Sequence, residues 1–73
     1  MNIKKFEQSV KKLLKNYGYF VVYTPFFKIY ANGYKLDTNS SLTRLFLFWN
    51  KEQIAFLYLM DVEKVDIEVE KNE

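Results

Sequence analysis

The chain has 73 residues, 49% of them hydrophobic and 19% aromatic, with two Gly, one Pro and a formal net charge of +2. A composition this apolar excludes a disordered chain, and the length leaves room for a single domain, which we place at residues 1–70, with a frayed acidic tail at 71–73. Because the chain has no Cys and no His, it lacks disulfides, the usual zinc ligands, thiolate nucleophiles and imidazole bases, so we expect a protein that is not an enzyme and has no metal or cofactor.

The first segment of the chain predicts an amphipathic helix over about residues 3–17. Its apolar residues recur at the spacing of one helix face. Asn2 is a suitable N-terminal cap, and Gly18 stands where a left-handed residue would end the helix. The opposite side of this helix carries five lysines, which are Lys4, Lys5, Lys11, Lys12 and Lys15.

After Gly18 the apolar pattern changes to the period of two that is typical of strands. The sequence Asn32-Gly33 predicts a two-residue hairpin turn with both residues at positive φ, which sets Ala31 opposite Tyr34. Short polar turns separate the other runs, so we expect the strands to form one mainly antiparallel meander sheet. The predicted strands cover about residues 19–24, 26–31, 34–38, 42–49, 54–60 and 65–69.

Residues 42–60 have two other interpretations, and both fit less well. A single helix would be apolar around its whole circumference, and the segment is rich in β-forming residues. A membrane span is interrupted by Arg44 and by the polar residues 50–53, and each apolar run falls short of the roughly 20 residues that a bilayer requires. We therefore expect an α+β fold in which the N-terminal helix packs on one face of a sheet of five or six strands.

The predicted hairpin of residues 42–60 is apolar on both faces, and one amphipathic helix covers only one of them. We assign the helix to the face of Phe46, because Ala55 on the same face leaves room for close packing. The other face then has to be covered in another way. Either the sheet closes into a small barrel, or a second copy packs on the face in a two-fold dimer, or a different protein packs on it. With residues 50–53 as a four-residue loop, that open face carries Leu45, Leu47, Trp49, Ile54, Phe56 and Tyr58.

The sequence favours protein association as the function. We expect a self-associating protein, or a binder or inhibitor of another protein, because a cluster of exposed aromatic residues exceeds what monomers usually leave in water. The expected contact residues are Trp49, Phe56 and Tyr58, with Leu45 and Leu47 beside them, since buried aromatics supply most of the energy of an interface. The N-terminus lacks the apolar core of a signal peptide, which favours the cytoplasm. The Lys-rich, Ala-poor composition is what an AT-rich genome would produce, such as that of a low-GC bacterium or its phages, and we expect a phage or mobile-element origin.

Nucleic-acid binding is the alternative function. The lysine side of the helix is then expected to lie along phosphates, and surface tyrosines to stack on bases. A solvated helix face is the simpler interpretation of the same lysines, and the chain has only one Arg, whereas nucleic-acid readers favour several. The tyrosines in question are Tyr19, Tyr23, Tyr30 and Tyr34.

Overall fold

The computed structural model describes residues 1–68 and shows an α+β fold, which confirms the predicted class. In chain order its elements are α1 (Ile3–Tyr17), β1 (Phe20–Tyr23), β2 (Lys28–Ala31), β3 (Gly33–Asp37), β4 (Arg44–Trp49), β5 (Glu52–Tyr58), a 3-10 turn (Leu59–Asp61) and β6 (Lys64–Asp66). The end of the last predicted strand at residue 69, the domain boundary at 70 and the acidic tail at 71–73 lie outside the described residues.

Both ends of α1 are capped as the sequence predicts. The side-chain oxygen of Asn2 accepts a hydrogen bond from the backbone N–H of Lys5 at 2.8 Å. Gly18 adopts a φ of 78°, and its N–H donates to the Leu14 carbonyl at 2.9 Å. Because glycine takes this left-handed conformation without a steric cost, Gly18 ends the helix and turns the chain toward β1.

The six strands form two three-stranded antiparallel sheets, so the single meander sheet is wrong. The first sheet has the order β2-β1-β6, and the second has the order β3-β4-β5. The chain passes from β2 to β3 through Asn32 alone, so one extended segment contributes to both sheets. Its first half pairs with β1 and its second half with β4, and each half gains a ladder of backbone hydrogen bonds with a different neighbour.

The predicted hairpin turn at Asn32-Gly33 is also wrong. Neither residue has a positive φ, and Ala31 lies opposite Phe20 instead of its predicted partner. The backbone N–H of Asn32 donates to the Phe48 carbonyl at 2.9 Å. The chain stays extended where its local preference is for a turn, because the backbone groups on both sides of Asn32 find partners in neighbouring strands.

β4 and β5 form the predicted hairpin with a shorter turn. Asn50 and Lys51 have φ values of 49° and 71°, which is the two-residue turn that matches the twist of paired strands. The predicted four-residue loop at 50–53 is therefore wrong. Farther along, β5 contains one residue more than the facing part of β4, and this β-bulge leaves Ile54 without a partner in the ladder.

The core lies between α1 and the inner faces of both sheets. α1 contacts β1 and β6 of the first sheet. It reaches the second sheet where the rings of Phe6 and Tyr34 meet edge to face, with centroids 5.4 Å apart. Beside them the Tyr34 hydroxyl donates to a carboxylate oxygen of Glu7 at 2.6 Å. The buried core residues are Phe6, Val10, Phe20, Val22, Ala31, Leu45, Leu47, Leu57, Leu59 and Val62.

Candidate interaction surface

β4 turns its two leucines into the core. Leu45 lies opposite Leu57, and Leu47 lies opposite Ala55. Both leucines of β4 are fully buried, so the prediction that they line an open face is wrong. The observed register differs from the predicted one by one residue, and such a shift moves the side chains of one strand to the opposite face relative to its neighbour.

The aromatic residues of the hairpin are also divided differently from the prediction. Phe46 lies opposite Phe56 on the outer face of the sheet, away from α1, so the assignment of the helix to the Phe46 face is wrong. Side chains alternate along a strand, so Trp49 lies on the same side of β4 as the two buried leucines. It lies opposite Glu52 at the end of the hairpin. Trp49 is 41% exposed, but it does not share a face with Phe56 and Tyr58, which corrects the predicted grouping.

We use the name outer aromatic face for Phe46, Phe56 and Tyr58. The ring centroids of Phe46 and Phe56 are 5.3 Å apart, and those of Phe56 and Tyr58 are 5.5 Å apart. Phe56 is 48% exposed and Tyr58 is 37% exposed. The three rings therefore form a contiguous aromatic surface, in which Phe56 and Tyr58 are exposed and Phe46 is half-buried in the described part of the chain.

Charged residues border the outer aromatic face. Arg44 lies opposite Tyr58 and forms an ion pair with Asp37. The backbone N–H of Asn39 donates to Asp37 at 2.9 Å, and together with the Arg44 guanidinium it holds the pKa of Asp37 below its usual range. Lys35 is the neighbouring exposed cation on β3. The border therefore combines an ion pair with a single lysine.

Two asparagines fix the hairpin turn to the junction of the two sheets. The side-chain oxygen of Asn32 accepts a hydrogen bond from the backbone N–H of Asn50 at 2.8 Å. The side-chain amide of Asn32 donates to the side-chain oxygen of Asn50, also at 2.8 Å. This pair of bonds holds the turn in place, so β4 and β5 present the outer aromatic face from a fixed support.

The tyrosines that the alternative function requires already have contacts within the chain. The rings of Tyr19 and Tyr30 stack with centroids 6.3 Å apart. The Tyr23 hydroxyl donates to the carbonyl of Ile67 at 3.2 Å, and Tyr34 packs inward against the helix. These contacts compete with the base stacking that nucleic-acid binding would use.

The lysines of the alternative function are exposed on α1, as the amphipathic pattern predicts. Glu7 is the one acid in α1, and its carboxylate accepts the hydrogen bond from Tyr34. Because α1 packs on the inner face of the second sheet, its lysines and the outer aromatic face lie on opposite sides of that sheet. The exposed lysines are Lys4, Lys5, Lys11, Lys12 and Lys15.

A second exposed aromatic pair lies at the tip of the β1–β2 hairpin, where the sequence predicts the start of a strand. Phe26 is 90% exposed and Phe27 is 55% exposed. The Thr24 hydroxyl oxygen accepts hydrogen bonds from both backbone N–H groups, at 3.3 and 3.1 Å, and this fixes the turn. Pro25 is the sequence signal for this turn, because proline favours the second position of a β-turn.

No protein family, curated protein or solved structure matches this chain. Residues 1–68 contain no helix with the length and apolar character needed to cross a membrane. The same residues bring together no group of three or more acidic side chains that would suit a metal ion. The function is therefore inferred from the surface geometry of the described residues.

Proposed function

We propose that the protein is a small non-catalytic protein-interaction module and that its contact surface is the outer aromatic face. The observation that carries this proposal is the contact of the half-buried Phe46 with the exposed Phe56 and Tyr58 on one sheet face. An aromatic side chain buries roughly 150–250 Å² when it is fully covered, and since Phe56 and Tyr58 keep 48% and 37% of their surface open, the three rings offer a contiguous patch on the order of 200 Å². Phe56 and Tyr58 keep their expected role as anchors, and Phe46 joins them.

The rigidity of this surface supports a binding role. A two-residue turn joins the strands that carry the three rings, and the hydrogen bonds between Asn32 and Asn50 hold that turn to the rest of the fold. A preformed surface loses little conformational freedom when a partner binds, so more of the contact energy appears as affinity.

The charges around the face favour a protein partner over a polyanion. Arg44 is neutralised by Asp37, which leaves Lys35 as the neighbouring cation on β3. Proteins that stack nucleic-acid bases on aromatic rings place several cations along the same groove to follow the phosphates. A polar border around an aromatic centre is instead the usual anatomy of a protein–protein contact.

Two kinds of partner fit this description. The first is a second copy of the chain, and the second is another protein whose apolar site the module covers, as an inhibitor would do. We also propose a phage or mobile-element origin, since the composition is what an AT-rich genome would produce.

The test compares Phe56→Ser with Phe26→Ser. Phe26 is more exposed but lies at the tip of the β1–β2 hairpin, so its substitution controls for a general loss of surface hydrophobicity. We expect self-association, or capture of a host protein identified by mass spectrometry, to fall with Phe56→Ser and to persist with Phe26→Ser. Far-UV circular dichroism checks that both variants fold. If Phe56→Ser associates as well as wild type does, the proposal is wrong.

Nucleic-acid binding stays the alternative proposal, and the exposed lysine side of α1 supports it. None of these lysines forms an ion pair with another residue in the range 1–68. This alternative predicts retention on a heparin column that falls steeply with salt and with the combined replacement of Lys4, Lys11 and Lys15 by Glu. It also predicts that Phe56→Ser leaves the retention unchanged. An absence of retention at low salt excludes it.

A further inference from the structure

Two residues that follow β6 cover the outer side of the first sheet. β6 ends at Asp66, whose carboxylate accepts a hydrogen bond from the N–H of Ile67 at 2.8 Å. The next residue, Glu68, reaches β2 on the far side of β1, where its carboxylate pairs with Lys28 at 2.9 Å. Val21 of β1 lies between these two points and is fully buried. We call Ile67 and Glu68 the strap.

Two tyrosine hydroxyls hold the backbone of the strap. The Tyr23 hydroxyl donates to the Ile67 carbonyl at 3.2 Å, and the Tyr19 hydroxyl accepts a hydrogen bond from the Glu68 N–H at 3.3 Å. One hydroxyl therefore binds a peptide C=O and the other a peptide N–H, while Lys28 binds the side-chain carboxylate. This set of contacts recognises a peptide segment that carries an acidic side chain.

The strap is held weakly compared with the strands. It follows the last pair of the β1–β6 ladder, which is Val21 with Asp66. The side chains of Lys28 and Glu68 are 48% and 40% exposed, and an ion pair between exposed groups contributes little to stability. Both hydrogen bonds to the tyrosines are longer than the commonest values. Segments with so few contacts open at a low free energy, so the strap can leave the sheet without unfolding it.

We propose that the face under the strap is a binding site for an acidic peptide segment of another protein, and that the strap closes this site in the free protein as an autoinhibitory copy of the ligand. The charge of the face fits an acidic ligand, because Lys28 and Lys64 lie opposite Tyr23 on its two sides. This surface is separate from the outer aromatic face, which belongs to the second sheet.

The contacts on this face favour a peptide of another protein over two other occupants. Nucleic acid needs open ring faces for base stacking, but Tyr19 stacks on Tyr30 with centroids 6.3 Å apart, and the Lys64 Nζ lies 4.7 Å from the Tyr23 ring centroid. The strap of a second copy has the same sequence as the tethered strap, which competes at an effective concentration in the millimolar range. A segment of another protein can bind more tightly than the strap and displace it.

The test uses the full chain and a fluorescent peptide that copies residues 66–73. Glu68→Lys sets two cations against each other and should release the strap, while Lys28 and the tyrosines under it stay unchanged. We expect the peptide to bind Glu68→Lys with a Kd roughly 10-fold lower than that of wild type in fluorescence anisotropy, because apparent affinity rises with the fraction of molecules whose site is open. Glu52→Lys makes the same change of net charge on the second sheet, so it is the matched control and should bind as wild type does.

A charge exchange tests the contact between the peptide and Lys28. Lys28→Glu also releases the strap, since two acids then meet, but it reverses the charge of the site. It should bind a peptide that carries the Glu68→Lys change better than the unchanged peptide. The double variant K28E/E68K restores the ion pair, so it should bind the unchanged peptide as weakly as wild type does. In 15N-labelled Glu68→Lys, the unchanged peptide should shift the amide signals of Val21 and Tyr23 and leave that of Phe56 in place.

Equal peptide affinity of Glu68→Lys and wild type overturns the proposal. Equal gains in affinity for Glu68→Lys and Glu52→Lys overturn it as well, because they would reflect net charge alone. Far-UV circular dichroism checks folding, and if Glu68→Lys and Lys28→Glu both unfold, the strap is a fixed part of the fold and the proposal is wrong. If only one of them unfolds, the other decides by its peptide preference.

Two further comparisons separate this site from other functions. If an oligothymidine displaces the peptide from Glu68→Lys at a lower concentration than unlabelled peptide does, the face belongs to nucleic acid and the proposal is wrong. Phe56→Ser should leave peptide binding unchanged, because Phe56 lies on the second sheet. The peptide experiments can therefore fail while the proposed function of the outer aromatic face survives, and the reverse also holds.

Discussion

Replacing Leu45 with alanine tests the placement of β4 in the core. Leu45 is fully buried and lies between Leu36 of β3 and Leu57 of β5. Truncating a buried leucine costs about 2–5 kcal/mol, because the lost burial adds to the cost of the cavity. At the usual stability per residue, a chain of this length has a free energy of unfolding of about 4–11 kcal/mol. Leu45→Ala is therefore expected to remove roughly half of that free energy.

The assay is urea unfolding followed by far-UV circular dichroism, at a protein concentration low enough to keep the chain monomeric. Phe56→Ser is the matched control, because Phe56 lies on the same hairpin but is 48% exposed. We expect its free energy of unfolding to stay within about 1 kcal/mol of wild type. The urea midpoint of Leu45→Ala should fall while the slope of the transition stays the same.

A loss for Phe56→Ser as large as that for Leu45→Ala would refute this reasoning. It would mean that the ring of Phe56 is covered inside the monomer, so that both faces of the hairpin are buried. A change below about 1 kcal/mol for Leu45→Ala would refute it as well, because such small effects belong to surface positions.

Three other features, two hydrogen-bonded side chains and one turn residue with a positive φ, each predict a measurable effect. Burial, with the hydrogen bond to Glu7, raises the pKa of Tyr34 to about 12, so the stability that the protonated hydroxyl contributes below about pH 10 is lost as the pH rises toward 12. Tyr34→Phe should accordingly remove one late step from the titration of tyrosinate absorbance. Asn32→Ala should lower the free energy of unfolding by about 1–2 kcal/mol in thermal melts, because both hydrogen bonds to Asn50 are lost; an unchanged melting temperature would contradict this. Lys51→Gly should raise that free energy by roughly 0.5–1 kcal/mol, because glycine adopts the positive φ of the turn without a steric cost, and a lower urea midpoint would argue against the turn.

The sequence predicts α1 accurately because the signals for a helix are local. The apolar spacing, the cap at Asn2 and the left-handed position at Gly18 all depend on residues within a few positions of one another. Neither the two sheets nor their order enters into these signals. For the same reason the strands appear near their predicted positions, since each depends on a short run of β-forming residues.

The junction at Asn32 shows where local signals fail. Asn-Gly has a strong preference for a hairpin turn, but here the side chain of Asn32 binds Asn50 of a different hairpin. Gly33 lies opposite Phe48 in the β3–β4 ladder, so its backbone pairs with a strand that is distant in sequence. Both residues serve contacts that are distant in sequence, and a single sequence carries no signal for such contacts.

The composition of the open face was only partly predictable, because it depends on register. The exposure of Phe56 and Tyr58 agrees with the expectation that the hairpin has an uncovered aromatic side. The identity of their neighbours depends on a two-residue turn and on the bulge at Ile54. The shorter turn moves the pairing by two residues and the bulge moves it back by one. The net shift of one residue is enough to replace Leu45 and Leu47 by Phe46 beside them.

The fold has more apolar sheet faces than segments that cover them, and this imbalance does not depend on that register. α1 has 15 residues and is about 22 Å long, so it covers the inner side of the two sheets and no more. On the outer side of the first sheet, the backbone of Ile67 and Glu68 binds two tyrosine hydroxyls, and Val21 is fully buried there. In the described residues the second sheet has no comparable cover, and Phe56 stays half exposed. A change of register exchanges the side chains that meet the helix, but it always leaves one apolar face of β4 and β5 for another molecule to cover.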